Sequence, residues 1–122
     1  MNTVHPPEIV RIGAVTIIRP GVEFASLYGN MMDHLDPSLH LAASVIPPLL
    51  IIDLQNVKFI GSAFLGGIVT VQRIVRGRDS GRFGLCELNS FCKAAITISG
   101  LDKSFELFET AEDAVQAFSK SD

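Results

Sequence analysis

Residues 49–74, LLIIDLQNVKFIGSAFLGGIVTVQRI, decide the fold. Four apolar residues in a row, Leu49 to Ile52, mark a strand covered on both faces, and the run ends at Asp53. From Ala63 to about Arg76 the period changes to that of a helix. Leu65, Ile68, Val69 and Val75 share one face there, with Gln72, Arg73 and Arg76 turned outward. Gly61 and Ser62 lie at the junction, past the carboxyl end of the strand region and just before the helix. In open α/β sheets, ligands and modifications gather at that place. Serine is also a preferred N-cap, so the hydroxyl of Ser62 is expected to accept a hydrogen bond from the amide of Phe64 or Leu65, a cap worth about 1 kcal/mol. The two roles are compatible. A phosphate added at a helix start meets free amides and the positive end of the helix dipole.

On the N-terminal side, EIVRIGAVTIIRPG (8–21) predicts two short strands folded at Gly13 and closed by Pro20 and Gly21. Phe24, Leu27, Tyr28, Met31 and Leu35 then fall at helical spacing, which predicts a first helix ending near Asp36 and Pro37. Residues 37–48, PSLHLAASVIPP, read as a loop with at most one helical turn, because Pro47 and Pro48 fit neither a helix interior nor a central strand. Downstream, DSGR (79–82) is a turn and FGLCEL (83–88) a mostly apolar strand. Ser90 is expected to cap a short helix through Ile98, stopped by Gly100. FELF (105–108) is a last short strand, and Thr110 with Asp113 starts a final helix carrying Ala114, Val115 and Phe118 inward. The order β-β-α-β-α-β-α-β-α predicts an α/β fold. It is a mixed, largely parallel sheet with an N-terminal β-hairpin and about four helices packed on it, spanning residues 1–122 as one domain.

Composition narrows the function. A hydrophobic fraction of 48% against 19% charged residues favours an ordered globular chain. The net charge of -3 argues against nucleic acid as a partner, since phosphate backbones need a basic surface. Cys86 and Cys92 read as two buried thiols in a reducing compartment, and they make a poor metal site with three scattered histidines. No cofactor or metal is expected. The N-terminus lacks the pattern of a signal peptide, and no apolar run is long enough for membrane insertion, so a cytoplasmic location is expected.

Two stretches carry a resemblance: residues 49–74, and ISGLDKSFELFETAEDAVQAF at 98–118. Together they resemble the STAS domain family of bacterial anti-sigma-factor antagonists, over Leu49 to Phe118 and more weakly in the hairpin and first helix. The family signature is an apolar strand ending in Asp-Leu, then an apolar pair, Asp-Ser-Ser/Thr-Gly-Leu-Gly and a helix. The resemblance implies a non-enzymatic regulatory protein whose partner is a serine kinase that is also the anti-sigma factor. The unmodified form binds that kinase, and phosphorylation releases it. By position Ser62 is the implied phosphoacceptor, and Leu65 and Gly66 match the Leu-Gly of the motif. Gly61, Ser62, Ala63, Phe64, Leu65 and Gly66 are the implied partner-binding segment. Gly61 replaces the usual aspartate, Ala63 the second hydroxyl residue and Phe64 a glycine. Loss of the aspartate lowers repulsion of a phosphate and alters what a kinase recognises. Phe64 packs in the core, or anchors an interface if exposed.

Other chemistries fit less well. LIIDL resembles the acceptor strand of response-regulator receivers, but no acidic pair ends the first strand and Lys103 precedes the last strand instead of following it. Asp53 is therefore expected to support the site by accepting hydrogen bonds from loop amides near Ser62. There is no G-x-S-x-G elbow, and His5, His34 and His40 read as solvated side chains. Gly66 and Gly67 lie inside a helix, where small residues allow close packing. Arg73, Arg76, Arg78 and Arg82 read as a solvated face able to guide an acidic partner. Two functions remain: a phosphorylation-controlled antagonist, or a constitutive docking module of the same fold in a larger signalling or transport assembly.

Overall fold

The computed structural model describes residues 4–119. Strands β1 (Glu8–Ile12) and β2 (Val15–Arg19) form an antiparallel hairpin in which Ile12 faces Val15. Gly13 takes φ +60° at the turn, a conformation that glycine adopts without steric cost. The strands β4 (Leu49–Asp53), β6 (Arg82–Cys86) and β7 (Glu106–Phe108) extend the hairpin into a five-stranded sheet of order β1-β2-β4-β6-β7, parallel from β2 onward. A separate two-stranded parallel sheet joins β3 (Ser26–Leu27) to β5 (Phe59–Ile60).

The apolar run in β4 is explained by its position. Leu50 and Ile52 face a core shared with α1 (Met32–Ala43), α2 (Ser62–Arg76) and α3 (Ser90–Ile98). Leu49 and Ile51 face the other side, where α4 (Ala111–Ser119) brings Ala114 and Phe118. Every residue of β4, including Asp53, is buried. The fold is the mixed, largely parallel sheet with four helices that the sequence predicts.

Three readings need correction. The first helix does not span Phe24 to Leu35. Short 3-10 turns at Val22–Phe24 and Gly29–Met31 flank β3, and α1 runs from Met32 through Pro37 to Ala43. Pro37 removes one backbone bond on the exposed side of the helix, whereas Leu35, Leu39, Ala42 and Ala43 are buried, so packing carries the helix past it. The cap of α3 is Asn89 instead of Ser90: its Oδ1 accepts from the Cys92 amide at 2.8 Å, and its Nδ2 donates to the Lys58 carbonyl at 3.0 Å. Gln72 is not turned outward, and Arg82, with 31% of its side chain exposed, is not a free solvated cation. Gln72 is buried and its Nε2 donates to the Ser104 carbonyl, while Arg82 pairs with Glu106, donates to the Ala117 carbonyl and lies 4.5 Å from the Phe118 ring centroid. The Thr110 start of α4 is as expected, with the Asp113 amide donating to Thr110 Oγ1 at 3.0 Å. Among the described residues no helix is long and apolar enough to cross a membrane.

Candidate functional site

The junction at residues 59–66 is built by three restraints. The amides of Lys58 and Phe59 both donate to the Ala25 carbonyl, at 2.7 and 2.9 Å, and the Gly61 amide donates to the Leu27 carbonyl at 3.0 Å. The small β3–β5 sheet thus fixes the backbone up to Gly61. Asn89 holds the Lys58 carbonyl from the start of α3, and Asn56 Nδ2 donates to the Pro20 carbonyl at 3.2 Å. The chain then turns into α2 with extended geometry at Gly61, and Ser62 is the first helical residue.

Ser62 is exposed and is not the cap. Gly61 occupies the N-cap position and offers no side chain to the first-turn amides. The first helical bond runs from the Leu65 amide to the Gly61 carbonyl at 3.1 Å, so the amides of Ser62, Ala63 and Phe64 precede it. The first turn also contains no acidic side chain. With no cap to lose, Ser62→Ala is expected to change stability by less than about 0.5 kcal/mol in a denaturant melt. A loss near 1 kcal/mol would restore the capping role.

The rest of the segment divides by burial. Ala63 and Gly66 are exposed beside Ser62, and Leu65 is half-buried. Phe64 is fully buried in the core and presents nothing to a partner, which corrects the reading of it as a surface anchor. Gly67 supplies the close approach to α1: a Cβ there would lie 2.8 Å from Met32 Cε, whereas Gly66 faces open space.

Around Ser62 the structure adds aromatics that sequence reading missed. Tyr28, expected on an inward helical stripe, is 48% exposed and lies against Gly61, where a Cβ would come within 2.5 Å of Tyr28 Cδ1. Phe59 and Phe91 are 42% and 49% exposed and meet edge to face at 5.0 Å. Only the strand alternation of Phe59 (out) and Ile60 (in) could have signalled this. The Tyr28 ring therefore gives a physical reason for glycine at 61. Gly61→Asp is expected to displace the ring and cost about 1–3 kcal/mol. Since the chain has one tyrosine and no tryptophan, intrinsic fluorescence reports the displacement directly.

Asp53 sits at the carboxyl end of β4. Its Oδ1 accepts from the Gln55 amide at 3.0 Å, a loop amide as expected, but Oδ2 accepts from Arg19 Nε at 2.8 Å. Arg19 also reaches exposed Glu8 at 2.9 Å, and the Asp53 hydrogen bond is the main reason its guanidinium is held above its usual pKa. Burial pushes the Cys86 thiol up to about 12, with Asp53 adding to the effect, and burial alone pushes Cys92 up to about 11. Both cysteines are free, buried and of the inert kind.

A family model described as STAS domain matches residues 7–114. The anti-sigma-F factor antagonist RsfB of Mycobacterium tuberculosis is 36% identical over 69 residues, 57% of this chain and 55% of that protein, so the match spans about half the length of that curated relative. An anti-sigma-factor antagonist (STAS) domain protein from Planctomyces limnophilus superposes with a TM-score of 0.90 at 21% identity, over 95% of this chain and all of the other. The Bacillus cell fate determinant SpoIIAA in its phosphorylated form gives a TM-score of 0.62 at 16% identity, covering 91% of this chain and 97% of that one. The two structural likenesses establish a shared fold.

Proposed function

The chain belongs to the STAS domain family, and we propose that it acts as an anti-sigma-factor antagonist, binding a serine kinase that is also the anti-sigma factor and leaving it once Ser62 is phosphorylated. The observation that carries this reading is an exposed hydroxyl on the first residue of an uncapped fifteen-residue helix, at the carboxyl end of the sheet. The hydroxyl is accessible to a kinase, and the first-turn amides with the helix dipole can receive a dianion without unfolding the domain. A relative that is an anti-sigma-F factor antagonist, and a structural neighbour solved in phosphorylated form, support the same reading.

The binding surface in this proposal is Ser62, Ala63, Gly66 and the exposed part of Leu65, flanked by Tyr28, Phe59 and Phe91. Gly61 shapes it by admitting Tyr28, and Asp53 supports it by holding the loop after β4. Aromatic side chains are the usual anchors of protein interfaces. The test is incubation with ATP and the anti-sigma-type serine kinase from the same organism, followed by peptide mass spectrometry. Phosphate on Ser62 is expected. Stable binding to a kinase-free assembly, with no phosphate on any residue, favours the constitutive docking module instead.

A further inference from the structure

We propose that the cleft between the last turns of α2 and the 101–105 segment binds a small phosphorylated ligand. This chain carries a net charge of -3, yet four of its ten lysines and arginines line this cleft. Two adjoining cavities of about 280 and 560 Å3 share Gln72, Arg76 and Ser104, and between them are lined by Arg73, Arg76, Arg82 and Lys103 against the single carboxylate of Glu106. Arg82 and Glu106 neutralise each other. Among the described residues the side chains of Arg73, Arg76 and Lys103 have no hydrogen-bond or ion-pair partner, and all three residues are exposed.

The cleft has a fixed floor. Gln72 ties α2 to the opposite wall through the Ser104 carbonyl, and Phe83 and Phe105 pack edge to face at 5.7 Å beside it. Arg73 and Arg76 stand in the last turn of α2, where the helix dipole favours cations. That dipole does not account for Lys103, which comes from a different segment and lines the same concavity. Guanidinium groups fork onto phosphate oxygens in bidentate fashion, and an ammonium from the facing wall adds a point charge. Cations on two walls of one cleft suit a compact anion that enters it; a flat acidic protein surface reaches only the rim. The site is independent of the Ser62 switch, since α2 separates the two by roughly 20 Å.

The probe is sodium pyrophosphate, titrated into the full chain at low ionic strength and followed by amide chemical shifts and calorimetry. Saturable binding with shifts confined to residues around 72–77 and 101–106 is expected. Arg76→Gln and Lys103→Gln should each weaken binding by about tenfold or more, the effect of losing a charge-assisted hydrogen bond. Arg78→Gln, the same charge change outside these two cavities, should leave it nearly unchanged. Absence of saturation, or equal weakening by Arg78→Gln, overturns the site in favour of diffuse electrostatics. Citrate binding as tightly as pyrophosphate overturns the phosphate preference. A poly-glutamate peptide that binds this face and is not displaced by pyrophosphate makes it a protein-docking surface, which also overturns the proposal.

Discussion

Arg19→Met is expected to destabilise the fold by about 3–5 kcal/mol, the usual cost of leaving a buried charge without its partner. Asp53 has only 1% of its side chain exposed, and among the described residues the substitution leaves it with the Gln55 amide as its one remaining bond. The outer contact of Arg19 is a different matter. The Glu8 side chain is 60% exposed, and an exposed ion pair contributes about 1 kcal/mol at most. Glu8→Ala should therefore barely move a urea melt, which assigns the loss in Arg19→Met to Asp53. The double variant Arg19→Met, Asp53→Leu should recover much of the stability, because an apolar pair of similar volume avoids burying a lone charge. If the double variant is as unstable as the single one, the pair is not the cause. The consequence reaches the site. Asp53 fixes the Gln55 amide, and the loop that begins there leads into β5 and Ser62.

The sheet and its helices were legible because burial writes itself into period. Leu49 to Ile52 had to be covered on both faces, and α2 and α4 carry their apolar residues at helical spacing. The first helix lies further along the chain than its spacing predicts, for the opposite reason. Phe24, Leu27 and Met31 fall at helical spacing, yet they sit in a 3-10 turn, a two-residue strand and a second 3-10 turn. Segments that short contain too few residues to establish a period. The site was half legible. Motif order points to Ser62 at the start of α2, but the aromatics near it come from residues 28, 59 and 91, brought together by the β3–β5 pairing and the Asn89–Lys58 bond. Arg19 was hidden in the same way, since its partner is 34 residues away.

Phosphorylation of Ser62 is expected to weaken the partner complex by about 100-fold or more, near 3 kcal/mol. In the free domain the modification is expected to be tolerated. A phosphoserine adds nearly two negative charges and three acceptor oxygens, and it enters the uncapped first turn of α2, where amides and the dipole receive it. Within a complex the balance changes. Ala63, Gly66 and Leu65 offer no charge to a partner, and the neighbouring Phe59 and Phe91 add exposed apolar surface. A partner that packs on that surface excludes the water that would screen the dianion, and desolvating an unpaired charge costs several kcal/mol. Lost hydrogen bonds to the serine hydroxyl add to this. Ser62→Asp, carrying one charge on a shorter side chain, should fall between the unmodified and phosphorylated forms, while Ser62→Ala should bind and resist release by ATP. The measurement is calorimetry of all four forms against the kinase, with denaturant melts beside it. Because Ser62 makes no cap, the melts should coincide for the unmodified protein and the alanine variant, so an affinity difference between them reports the interface alone. Equal affinity across the four forms would mean that the partner does not cover Ser62, and the switch would have to lie elsewhere on the domain.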